Sequence, residues 1–132
     1  MLVLGIDPGV TTGIALYDDE SSSVVYAKDV QSPVIVYEVL QTFLEETVTD
    51  KAIIIESYVG AGPRTQEAVH TIKMVGFVEF LCQSWGLTLF SQAPQQRKHQ
   101  LANAERLLPD GPHHAKDALA HGLAFLGTEL IR

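Results

Sequence analysis

Apolar and polar positions fall into short runs at the start of the chain and into longer helical periods after it. Leu2, Val3, Leu4 and Ile6 form an apolar run ended by Asp7-Pro8-Gly9, which predicts a buried strand over Met1–Ile6. Gly9–Gly13 reads as a turn and Ile14–Tyr17 as a second strand, followed by the polar hairpin turn Asp18-Asp19-Glu20-Ser21. A third strand is predicted over Ser23–Val30, with Val24, Tyr26 and Lys28 alternating against Val25, Ala27 and Asp29. Strands joined by turns this tight predict an antiparallel meander.

Ser32-Pro33 then opens a helix, with Ser at the cap and Pro in the first turn. Val36, Val39, Leu40, Phe43 and Leu44 mark its apolar face, and it ends near Thr47 to Asp50. Ala52–Ile55 is wholly apolar, the pattern of a central buried strand, with Glu56 at its C-terminal end. A Gly-containing loop over Tyr58–Pro63 leads to a second helix, about Thr65–Ser84, that Gly86 terminates. A fifth strand is expected at Leu87–Phe90, a short helix at Gln95–Leu108, and a last helix at about His114–Leu130. This order predicts an α/β fold: a mixed five-stranded sheet, three strands antiparallel and the others parallel, flanked by helices joined through right-handed crossovers.

The 132 residues suit a single domain over 1–132, and 46% hydrophobic with 19% charged residues excludes a disordered tail. The apolar start, Met1–Ile6, is too short for a membrane span or a signal, so a cytoplasmic location is the default expectation. Cys82 is the single cysteine, which excludes an internal disulfide; it is expected to pack as a small apolar side chain. The net charge of -7 argues mildly against a generic nucleic-acid binder. The charge is uneven, however. Residues 1–63 carry two of the nine Lys and Arg and ten of the sixteen Asp and Glu, while all five His lie in the second half, which leaves room for a locally positive face.

Asp7 and Glu56 each end an apolar strand. If those strands are parallel neighbours, the two carboxylates meet at the edge where ligands bind in such folds. Asp117, in the first turn of the last helix, is placed to supply a third. Asp7 alone is also good turn chemistry and Asp117 alone is common near a helix start, but Glu56 is poor turn chemistry. Half-buried carboxylates are costly unless paired or metal-bound, and the three together favour a hard divalent cation. His113 and His114 lie four and three residues before Asp117, so either can share its face of the helix.

Three blocks carry a resemblance. Gly5-Ile6-Asp7-Pro8-Gly9-Val10-Thr11-Thr12-Gly13, Ile53-Ile54-Ile55-Glu56 and His114-Ala115-Lys116-Asp117-Ala118-Leu119-Ala120 resemble the signature blocks of RuvC-like Holliday-junction resolvases, of RNase H-like fold. Ala93-Pro94-Gln95-Gln96-Arg97-Lys98 resembles that family's proline-then-lysine segment. The resemblance implies a phosphodiester hydrolase that cuts both strands of a four-way junction as a homodimer. It places two Mg2+ ions (with Mn2+ able to substitute) on Asp7, Glu56, Asp117 and His114, and puts Lys98 at the DNA backbone. Tyr58 stands in the loop after Glu56, at a different offset from the Phe that relatives often insert at the junction. Arg64, Lys73, Arg97, Lys98 and Lys116 are the expected phosphate contacts. Met74, Phe77 and Phe80 on the second helix are candidates for the symmetric interface. No small-molecule cofactor and no membrane are implied.

The resemblance departs in two respects: the chain is shorter between Pro94 and the last helix, and its basic surface is thin. A possible phage-type member would suit such compactness. Two other functions fit the same residues: a nuclease acting on RNA or on flap or fork DNA, and a non-catalytic junction-binding protein.

Overall fold

In the computed structural model, which describes residues 1–48, 50–57 and 65–130 (side chains to residue 127), the three expected hairpin strands are β1 (Leu2–Asp7), β2 (Thr12–Asp18) and β3 (Ser23–Val30). They are followed by α1 (Pro33–Glu45), β4 (Lys51–Glu56), α2 (Gln66–Trp85), β5 (Leu89–Gln92), a 3-10 segment (Pro94–Gln100), α3 (Leu101–Leu107) and α4 (His113–Leu130). The strand order is β3-β2-β1-β4-β5, with β1–β2 and β2–β3 antiparallel and β1–β4 and β4–β5 parallel. The sheet is therefore the mixed sheet that the apolar pattern predicts.

Alternation along the strands feeds two cores. Leu4, Ile6, Ile53 and Ile55 face α1 and α2, where they meet Val36, Leu40, Phe43, Val78 and Leu81. Val3, Ala52 and Ile54 face the other way, toward Ala118, Leu119 and Phe125 of α4 and Ala104 of α3. Ser32 caps α1 through its side chain, and Lys51 Nζ closes the far end by donating to the carbonyls of Phe43, Leu44 and Glu46. Cys82 is buried in the first core, where burial pushes its thiol up to about 11.

Several boundaries move for identifiable reasons. The β5 strand starts two residues later than its apolar run, because Gly86, at φ 69°, turns the chain back and the Leu87 N–H bonds the Cys82 carbonyl. Residues expected as one helix from Gln95 form the 3-10 segment and then α3. In β3 the register shifts where Tyr26 pairs with Leu16 but Val24 with Tyr17, so Val25 is the extra residue of a bulge. Val24 and Tyr26 consequently pack into opposite cores instead of sharing a face. Of the candidates for the symmetric interface, Met74 and Phe77 pack partly against the first core, whereas Phe80 is 65% exposed. No described helix is long and apolar enough to cross a membrane.

Candidate active site

Two rows of polar side chains face each other at one edge of the second core. The register Ile6↔Ile55 sets Asp7 beside Glu56, and Glu56 pairs with Gln92, so the last residues of β1, β4 and β5 stand side by side. Asp7 shares its face with Val3, and Glu56 with Ile54; that face is covered by α4. On α4, His114, Asp117 and His121 follow at i, i+3 and i+7 and form one stripe above the row.

Two glycines bring the stripe this close. A Cβ on Gly5 would lie 2.0 Å from the Ala118 carbonyl oxygen, and one on Gly13 would lie 2.0 Å from that of His114. The α4 backbone therefore rests directly on β1 and β2. The start of α4 is fixed from β3: Asp29 accepts from the His114 N–H at 3.3 Å and the Ala115 N–H at 2.7 Å, two of the donors that a first helical turn leaves free. The helix begins at His113, so Asp117 opens its second turn, not its first as the sequence suggested.

Asp7 Oδ2 lies 3.2 Å from His114 Nδ1. Glu56 Oε1 meets the Arg97 guanidinium and lies 3.2 Å from His121 Nε2. Arg97 Nε and His113 Nε2 each lie 3.8 Å from Asp117, on different carboxylate oxygens. Burial, a hydrogen bond to Glu56 and the nearby charges of Glu56 and Asp117 push Asp7 up to about 8. Burial acts on Glu56 in the same direction, but hydrogen bonds from His121 and Asp7 and the Arg97 charge outweigh it and leave Glu56 below the usual range. An open cleft of about 520 Å3 lies over these groups, bounded by the Pro8–Thr11 turn and by Glu67 and Thr71 of α2.

The donor set fits a hard divalent cation. One ligand atom from each of Asp7, His114 and Asp117 lies within 4.8 Å of the others, and the two carboxylates with an imidazole are the oxygen and nitrogen donors such an ion takes. Glu56 adjoins this group without being part of it. Of the two neighbouring histidines, His114 is the one in the cluster; His113 stands outside it, its side chain 82% exposed.

Among the expected phosphate contacts, Arg97 lines the cleft and Lys73 and Lys98 are exposed. Lys116 instead meets Glu105 Oε2 at 2.6 Å and the Pro109 carbonyl at 3.2 Å. Tyr58 and Arg64 lie outside the described residues. Asp29, Gln92 and His121 escaped sequence reasoning, as did the contact of Arg97 with the carboxylates. The spacing of His121 from Asp117 and His114 was the available signal.

No family model and no curated protein matches the sequence. Solved structures do. RuvC of T. thermophilus in complex with a Holliday junction substrate superposes with a TM-score of 0.77 at 22% identity, over 99% of this chain and 96% of that one. A second T. thermophilus RuvC structure gives 0.73 at 22% identity over the same shares. The chain thus has the RNase H-like fold in the arrangement of T. thermophilus RuvC.

Proposed function

We propose that this protein is a metal-dependent endonuclease that cuts branched DNA and resolves four-way junctions by paired phosphodiester hydrolysis. The observation that carries this reading is the Asp7–His114–Asp117 cluster at the strand ends of a RuvC-like fold. Those three residues and the adjoining Glu56 would hold Mg2+, two ions per site, with Mn2+ able to substitute. Held by these residues, such a cation would supply Lewis acidity for activating water and for stabilising the leaving oxygen. His114 orients the Asp7 carboxylate, and Asp29 holds His114 in place through the helix start. Arg97, Lys98 and Lys73 meet phosphates from the cleft and its surroundings, with Arg64 assigned there, and Tyr58 to the junction centre, by sequence alone. Lys116 is paired with Glu105 and hydrogen bonds the Pro109 carbonyl, so it is less available than the exposed Lys73 and Lys98.

The acidic cluster favours catalysis over a purely binding role, because a binder gains by losing negative charge near phosphate. A homodimer in the cytoplasm completes the proposal, with Phe80 on the outer face of α2 as the candidate contact.

The test is cleavage of a panel of four-way junctions, flaps, linear duplex and RNA–DNA hybrid in Mg2+, with binding measured in Ca2+. Paired nicks in the junction are expected, with cutting lost and binding kept in Asp7→Asn. Asn preserves the turn at Asp7 but not the anionic ligand. A folded Asp7→Asn protein that cuts at near wild-type rate would overturn the site; preferential cutting of RNA or flaps would replace the substrate.

A further inference from the structure

His121 and Gln92 have no place in the cation cluster, yet both are buried beside it, His121 with no exposed surface. Their hydrogen bonds can be assigned without reference to any metal. The Gln92 amide lies between two backbone groups whose polarity is fixed, the His121 carbonyl at 3.1 Å and the Phe125 N–H at 3.3 Å. Only one amide orientation satisfies both: the NH2 donates to the carbonyl and the oxygen accepts from the N–H. That orientation turns the NH2 toward His121 Nδ1, 2.8 Å away. Nδ1 must then accept, so the ring proton sits on Nε2, and Nε2 faces Glu56 Oε1 at 3.2 Å.

We infer that His121 is a positioning residue for Glu56: Gln92 locks the imidazole as the Nε2–H tautomer, and that N–H holds the Glu56 carboxylate at the edge of the cleft. The inference rests on the proposed nuclease function for its consequence in catalysis, but not for its geometry. The chain of bonds runs from the α4 backbone through Gln92 and the imidazole to Glu56, with every buried side-chain nitrogen and oxygen partnered among the described residues. A carboxylate held by a fully satisfied buried network keeps one orientation, whereas one held only by the partly exposed Arg97 does not.

The experiment has two arms. The first uses 15N-histidine NMR on the metal-free wild-type protein. A protonated Nε2 and an unprotonated Nδ1 are expected for His121, with the Nε2 signal shifted in Glu56→Gln; a protonated Nδ1, or no response to Glu56→Gln, would overturn the inference. The second compares His121→Gln, whose amide nitrogen can reach the place of Nε2, with His121→Asn, whose amide nitrogen stops near the place of Nδ1. His121→Asn is expected to lose cleavage rate and Mn2+ affinity by roughly tenfold to a hundredfold with junction binding in Ca2+ unchanged, and His121→Gln to recover most of that loss. Equal behaviour of the two variants would overturn a positioning role. If they fail to fold, the wild-type spectrum decides. If the wild-type protein cuts no branched DNA, the proposed function fails while the NMR arm and the Mn2+ titration still judge His121.

Discussion

Arg97 hydrogen bonds the Glu56 carboxylate through one guanidinium nitrogen while its Nε stands 3.8 Å from Asp117 Oδ1, so a single side chain touches two of the acids that surround the cleft. Its positive charge partly neutralises them in the metal-free protein, and a divalent cation entering the cluster meets that charge. Arg97→Gln is therefore expected to tighten Mn2+ binding about threefold to tenfold, the latter being about 1.4 kcal/mol. Calorimetric titration checks this; unchanged or weaker binding would show that Arg97 does not oppose the cation.

Asp7 gives the metal-free protein a pH dependence of unusual sign for a carboxylate. Its folded value of about 8 lies above the 3.8 of an ordinary Asp, so the folded state holds a proton that the unfolded chain has released. The contribution to stability is complete below pH about 4 and is lost as pH rises through about 8. In a chelator, Tm is expected to fall as pH rises from 5 to 9, and Asp7→Asn should flatten that slope. A slope that persists in Asp7→Asn would assign it to another group.

The glycine contacts predict a sharp contrast. Gly13→Ala places a methyl 2.0 Å from a backbone oxygen that cannot move without moving α4, and a loss of about 3 kcal/mol or more is expected. Gly76→Ala, inside α2, meets nothing within 4 Å and should gain up to about 1 kcal/mol from helix propensity. Chemical denaturation of the two variants side by side tests both signs.

Asp29 is expected to matter for more than stability. Asp29→Ala removes the acceptor from two first-turn N–H groups of α4, at a cost of about 1–2 kcal/mol. Because His114 is one of those residues, Mn2+ affinity should weaken as well. Loss of stability with unaltered affinity would show that the helix start finds other partners and keeps its place.

The parallel placement of β1 and β4, and with it the meeting of Asp7 and Glu56, was readable because four consecutive apolar residues before Glu56 admit little but a central strand. What was unreadable depended on contacts distant in sequence. The start of α4 is held by Asp29, 85 residues away from His114, and lies one residue before the local pattern put it, which moves Asp117 just past the first turn. The bulge at Val25 was hidden because Val24, Val25 and Tyr26 are all strand formers and reveal no break. Gln92 lay beyond the apolar run that marked β5, and its role depends on a histidine of another element.

The backbone contacts at Gly5 and Gly13 make the distance between α4 and the sheet a property of main-chain atoms. Those atoms are the same in every sequence, so substitutions elsewhere in the second core can repack around Phe125 or Ala104 without altering the span that separates Asp7 from His114 and Asp117. The spacing of the clustered carboxylates is thereby insulated from sequence drift. Two residues without side chains act as the gauge for the site, and the rest of the core is free to vary around them.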